Sequence, residues 1–180
     1  MDRYVALLRG VNVGGKNKIA MKSLAALFSD AKCRHVETYI QSGNVVFSAD
    51  AATARKANAA ICSAIQQQFG FQTHIILRNQ HEIERIESAN PYCNKELPPE
   101  KLHVVFLADT PTAEKVALLD PNRSLPDEFT VSGSEIFLYM PNGMGKTKLT
   151  NAYFDSKLKT VSTARNWRTL QKLLELMRAQ

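Results

Sequence analysis

Val36-Glu37-Thr38-Tyr39-Ile40-Gln41-Ser42-Gly43-Asn44-Val45-Val46-Phe47 is the stretch on which the reading of the fold turns. β-Branched and aromatic residues dominate positions 36–40 and fill 45–47, and the turn between them holds Gly43 and Asn44, which tolerate positive φ, so the stretch reads as a β-hairpin. Upstream, residues 4–8 are a short continuous apolar run, as expected of a central strand covered on both faces. Met21, Leu24, Ala25, Leu27 and Phe28 recur at helical spacing and predict an amphipathic helix over 21–31. Downstream, the alanine-rich stretch 53–69 puts Ala57, Ile61, Ala64, Ile65 and Phe69 on one face of a helix, with Thr53 as N-cap and Gly70 at its end. Residues 73–77 close the unit as a strand. The order βαββαβ is the ferredoxin-like, split βαβ pattern.

Residues 80–88 read as a short charged helix. Asn90-Pro91-Tyr92 and Leu97-Pro98-Pro99 break structure there and separate a half at 1–90 from one at 100–180. The second half repeats the order: a strand at 102–107, a helix at 111–119 with Thr110 as cap, and strands at 128–131 and 136–140. Its turn, Val131-Ser132-Gly133-Ser134-Glu135, places a Ser-Gly where the first half has Ser42-Gly43, which suggests an internal duplication. Residues 148–155 read as helical. The last helix is expected from about residue 164, with Thr163 as cap and Trp167, Leu170, Leu174 and Met177 on one seam. No final strand is evident in this half. The expected fold class is α+β, two tandem ferredoxin-like halves.

Hydrophobic residues make up 44% of the 180, enough for a real core. Only five apolar residues precede Arg9, too few for a signal-peptide core or a membrane span, so the expectation is a cytoplasmic protein with no membrane partner. Cys33, Cys62 and Cys93 are scattered without CxxC spacing, which argues against a disulfide framework or a zinc site. His81-Glu82-Ile83-Glu84-Arg85 begins like a zinc-protease helix but has Arg85 where the second histidine belongs. Gly143-Met144-Gly145-Lys146-Thr147 ends like a nucleotide-binding P-loop, yet Met140 stands where the first glycine must be. Ser42 lacks the preceding glycine of a nucleophile elbow. Carboxylates crowd only at 82–87, away from both glycine loops, which weakens hydrolase and metal-dependent phosphoryl-transfer readings. No metal and no cofactor is implied.

Charge points elsewhere. The net charge is +6, with +4 in residues 1–22, +6 in residues 141–180 and −4 between them. Residues 4–8 empty into a loop that holds Arg9, Gly10, Asn12, Gly14, Gly15, Lys16, Asn17 and Lys18, a composition that brings backbone N–H groups and cations close to an anion. Lys146, Thr147 and Lys148 form a second basic segment. Thr163, Arg165 and Asn166 form a third, read as a helix start where amides and Arg side chains hold an anion and Trp167 offers a stacking face. Ser42 and Asn44 are the candidate polar groups near a reacting atom. These residues are the candidate ligand site, and the expected partner is a phosphate-containing ligand, nucleic acid or nucleotide. Two other readings stand beside it: an enzyme acting on a small phosphorylated or carboxylated metabolite, and a structural or oligomer-forming protein whose loops merely connect strands.

Arg9-Gly10-Val11-Asn12-Val13-Gly14-Gly15, then Tyr39-Ile40-Gln41-Ser42-Gly43-Asn44-Val45-Val46-Phe47, then Thr163-Ala164-Arg165-Asn166-Trp167 resemble, in order, the bacterial domain-of-unknown-function 1697 family. The resemblance implies an α+β fold of two ferredoxin-like halves. It implies no catalytic residue and no cofactor.

Overall fold

The computed structural model describes residues 1–179. The chain divides into two compact units, Met1–Glu84 together with the residues from Lys172 on, and Arg85–Gln171.

In the first unit, strand β1 (Asp2–Leu8) leads to helix α1 (Met21–Asp30), strands β2 (Arg34–Tyr39) and β3 (Asn44–Ala49), helix α2 (Ala51–Phe69) and strand β4 (Ile75–Asn79). The sheet order is β2-β3-β1-β4 with every pair antiparallel. This is the expected βαββαβ order, with β1 in the interior. Strand pleating sends Ala6 and Leu8 to one face, where they join Leu24, Phe28, Phe47, Ile61 and Ile65 in a single apolar core. Val5 and Leu7 on the other face are also fully buried, which is why residues 4–8 carry no polar alternation. Helix α2 starts two residues before the expected Thr53. Its cap is Asp50, whose carboxylate accepts from the Ala52 and Thr53 amides at 3.0 and 2.9 Å and from the Thr53 hydroxyl at 2.7 Å.

Helix α3 (Gln80–Ala89) follows β4 directly, where the charged helix is expected. In the second unit the order is strand β5 (Leu102–Leu107), a one-turn helix α4 (Ala113–Val116), strands β6 (Glu128–Ser132) and β7 (Glu135–Tyr139), helix α5 (Asn151–Leu158) and strand β8 (Ser162–Asn166), followed by helix α6 (Trp167–Arg178), whose residues from Lys172 on belong to the first unit. The sheet runs β6-β7-β5-β8, again antiparallel throughout. Val105, Leu107, Ile136, Leu138, Phe154 and Leu158 form its core.

Strand β8 corrects the sequence reading, which has no final strand here and starts the last helix near residue 164 with Thr163 as its cap. Ser-Thr-Ala-Arg-Asn has no apolar run to announce a strand. Its polar side chains are buried with partners inside the fold instead: Ser162 donates to the Asp155 carboxylate at 2.6 Å, and Arg165 donates to the Thr163 hydroxyl and the Ala164 carbonyl, each at 2.8 Å. The helix starts at Trp167, and Asn166 accepts from the Arg168 amide at 3.0 Å. Helix α4 is likewise shorter than expected, with Thr112 rather than Thr110 before its first turn.

The two units share more than strand order. Arg78 faces Val5 across β4 and β1, and Arg165 faces Val104 across β8 and β5, each followed by an asparagine and then by a helix. An Arg-Asn pair therefore closes both sheets at the same register position.

Gly43 is where the first sheet is least tolerant. Its φ is +71°, and a Cβ there would sit 2.8 Å from Leu8 Cβ and 3.3 Å from Val11 Cβ. Gly43→Ala is expected to destabilise the protein by about 1–3 kcal/mol through overpacking, read as a lower urea midpoint with unchanged m-value.

Candidate functional site

The loop after β1 is a formed structure. Gly14 and Gly15, at φ +56° and +75°, make a two-residue reverse turn closed by the Lys16 amide donating to the Val13 carbonyl at 3.0 Å. The Asn12 amide donates to the Asn17 carbonyl at 3.1 Å, and Asn17 Nδ2 donates to the Gly10 carbonyl at 2.9 Å. The Arg9 amide donates to the His74 carbonyl at 2.9 Å, and the Thr73 hydroxyl donates to the Arg9 carbonyl at 2.8 Å. The loop is thus tied to the approach to β4 on one side.

Asn12 ties it on the other side. Its Nδ2 donates to the Ile19 and Gln41 carbonyls at 3.0 and 2.8 Å, and its Oδ1 accepts from the Ile19 amide at 2.9 Å. Both amide protons are used, so Asn12 is a positioning residue for the loop. The Gln41–Gly43 turn is fixed in the same place by the Leu8 amide donating to the Gly43 carbonyl at 2.8 Å. Asn44, fully buried, donates to the Tyr39 carbonyl and the Ser42 hydroxyl at 3.1 and 3.0 Å.

Between the glycine loop, the Gln41 turn and the start of α1 lies a cleft of 450 Å³, lined among others by Gly15, Lys18, Ile19, Ser23, Gln41 and Phe69. Lys16 and Lys18 are exposed on the loop, and Arg9 is half-buried at its base. Helix α1 opens into this cleft through Ala20 and Ser23. Ala20, at the N-cap position, has no side-chain oxygen to offer, and no acidic residue occupies the first turn. Asp50 and Thr150 cap α2 and α5 with their side chains. The start of α1 therefore borders the cleft with no side-chain cap and no carboxylate to offset its end of the helix dipole. Sequence reading passed over this end, although Lys18-Ile19-Ala20 before a helix, with no Ser, Thr, Asp or Asn at the boundary, is a legible sign of an uncapped start. Ser23, Gln41 and Phe69 were also missed as lining groups.

The other expected site residues lie in the second unit. Lys146 and Lys148 are exposed. Thr147 is used by its own loop: its hydroxyl accepts from the Leu149 amide at 3.0 Å and lies 3.4 Å from the Ser124 hydroxyl, which itself accepts from the Lys148 amide at 2.8 Å. Asn166 Nδ2 donates to the Glu100 carbonyl at 3.1 Å, and the Met140 amide donates to the Lys101 carbonyl at 2.9 Å, so the end of β8 and the start of the 141–150 loop share one end of the sheet. Thr163, Arg165 and Trp167 are buried, at 2%, 8% and 3% exposure. Burial pushes the Arg165 guanidinium down to about 10, which leaves it charged at neutral pH.

A larger cleft, of 670 Å³, lies at the opposite end of β1 and is lined by Arg3, His35, Glu37 and Ser48 among others. Two of its polar side chains converge on one hydroxyl. Arg3 donates to the Ser48 hydroxyl at 2.9 Å and to the Leu176 carbonyl at 3.2 Å, and His35 Nδ1 lies 3.3 Å from the same hydroxyl. Among the described residues, no cluster of three or more His, Cys, Asp and Glu side chains could hold a metal ion, and no helix is long and apolar enough to cross a membrane.

A fold of two four-stranded α+β units, with a glycine loop stapled beside the first hairpin, defines the class structurally. The family model described as a protein of unknown function (DUF1697) matches residues 1–137, and the chain belongs to that family. It is similar in fold to a solved structure of a conserved bacterial protein from Streptococcus pneumoniae, with 24% identity, 98% of each chain covered and a TM-score of 0.72. A comparison with curated protein sequences returns no match.

Two outcomes are expected. Asn12→Asp keeps the acceptor for Ile19 but loses both donors, so it should destabilise the protein by about 1–3 kcal/mol and release the Ile19 amide to faster hydrogen exchange. His103 is 7% exposed beside Asn166, its Nε2 lying 3.4 Å from Asn166 Nδ2, and burial pushes its imidazole below 6.5. A base whose folded pKa is depressed is held neutral in the native state while the unfolded chain takes up a proton. Stability is therefore fully present above about pH 6.5 and is lost progressively as pH falls below it. The melting temperature of the wild type should drop more between pH 7 and pH 5 than that of His103→Gln.

Proposed function

We propose that the first unit binds a phosphate-containing ligand, a nucleotide or nucleic acid, in the cleft beside the glycine loop. The observation that carries this is the uncapped start of α1 opening into a cleft rimmed by Lys18 and the Gly14-Gly15 turn. Helix N-terminal amides hold roughly half a positive charge, and phosphate oxygens are their natural acceptors. The turn adds close backbone approach because neither Gly14 nor Gly15 carries a side chain, and nothing lies within 4 Å of where one would be. Lys16, Lys18 and Arg9 add positive charge. The loop and the turn are already hydrogen-bonded in place, so binding orders little chain.

Fluorescence anisotropy of a labelled single-stranded oligonucleotide across a salt series tests this. Affinity should fall with a log–log slope of roughly −0.7 per phosphate engaged, and the Lys16→Ala/Lys18→Ala double variant should be shallower by about 1 to 2. Binding that ignores salt, or a double variant indistinguishable from wild type, would overturn the reading.

A further inference from the structure

Resting on that anion-binding reading, we infer that the cleft selects a nucleoside phosphate whose base is unstacked, taking the base as well as the phosphate. The lining combines three chemistries: Lys18 and the bare backbone of Gly15, the apolar Ile19, Ala20 and Phe69, and the polar Ser23 and Gln41. A site for phosphate alone needs no apolar wall. Phe69 ends α2, packs half-buried against the core and lines the cleft, so an aromatic side chain anchored in the fold borders the site. Ile19 is equally fixed, since its N–H and C=O are both bonded to Asn12.

The polar groups suit a base edge. Gln41 has its backbone carbonyl held by Asn12 while its side chain is exposed at the cleft, and a primary amide offers a donor and an acceptor together, the pairing that suits adenine. The cleft's 450 Å³ falls within the roughly 300–1,000 Å³ of small-molecule sites. A base inside a duplex has both faces covered by its neighbours and cannot offer one to Phe69, whereas a free nucleotide or an unstacked base in a single strand can. The shared chemistry is an aromatic base joined to a phosphate.

Calorimetric titration of the full chain with adenosine monophosphate, ribose 5-phosphate and adenosine separates base from phosphate. A ten-nucleotide single strand and its duplex separate the two sources. Adenosine monophosphate should bind at least tenfold more tightly than ribose 5-phosphate, and the single strand more tightly than the duplex. Phe69→Leu, which keeps most of the packing volume, should weaken adenosine monophosphate by about 5- to 150-fold, the range of one base stack, and leave ribose 5-phosphate unchanged. Gln41→Ala, an exposed position with no burden on folding, should narrow the gap between adenosine and uridine monophosphates. Lys16→Ala/Lys18→Ala should weaken both phosphorylated ligands alike. If adenosine monophosphate and ribose 5-phosphate bind equally, with the lysine dependence kept and the Phe69 and Gln41 variants silent, the base pocket is wrong and the anion site stands. If neither phosphorylated ligand binds, both readings fall. Duplex binding as tight as single-strand binding also overturns the base pocket.

Discussion

Gly43 rests so close to Leu8 and Val11 that an added Cβ would force a neighbour to shift, and the hairpin turn is seated on the exit of β1 through that contact. The turn lies flat on the exit of β1, close enough for the Leu8 amide to reach the Gly43 carbonyl. That position brings the Gln41 carbonyl within 2.8 Å of Asn12, which in turn holds both backbone groups of Ile19 and so sets where α1 begins. A hairpin turn, a strand exit and a helix start are thereby fixed by a short chain of contacts. The cleft is the space left among them.

The second unit repeats the strand order with a different interior. Its turn at Ser132–Glu135 places Glu135 opposite Phe106, where the first unit has Asn44 opposite Leu7, and both polar residues are buried. Arg78 and Arg165 recur at matching register positions, each bonding the carbonyl of the residue before it at 2.9 and 2.8 Å. Such groups are costly to bury without partners, so each sheet offers a backbone carbonyl, joined in the second by the Thr163 hydroxyl. What differs is the loop after the first strand. In the first unit it is the glycine-rich loop of residues 9–18, and in the second it is the short passage through Ala108 and Asp109 toward α4.

Apolar periodicity carried most of the fold. Residues 4–8, the 36–47 hairpin and the alanine-rich helix announce themselves because hydrophobic spacing and turn residues agree there. Strand β8 did not, since Ser162, Arg165 and Asn166 are strand residues by virtue of pairing with β5 and not by propensity. The recurrence of Arg-Asn at 78–79 and 165–166 was a legible hint that both positions end a strand. The candidate site was legible in part. Glycines, asparagines and lysines marked the loop, but only packing reveals that Asn12 is occupied with backbone, that Arg165 and Trp167 are interior, and that Phe69 from a distant helix end completes a wall. Residues that hold a site and residues that touch a ligand share the same polar alphabet.

The triple bonding of Asn12 has a consequence for how such a surface could be altered. Lys16 and Lys18 are exposed and contribute charge alone, while shape rests on Asn12, Asn17, Gly43 and the glycine turn. Charge and shape are thus carried by separate residues. The electrostatic character of the rim can be retuned, or even reversed in sign, while the scaffold beneath stays as it is. The loop behaves as a rigid mount with interchangeable fittings.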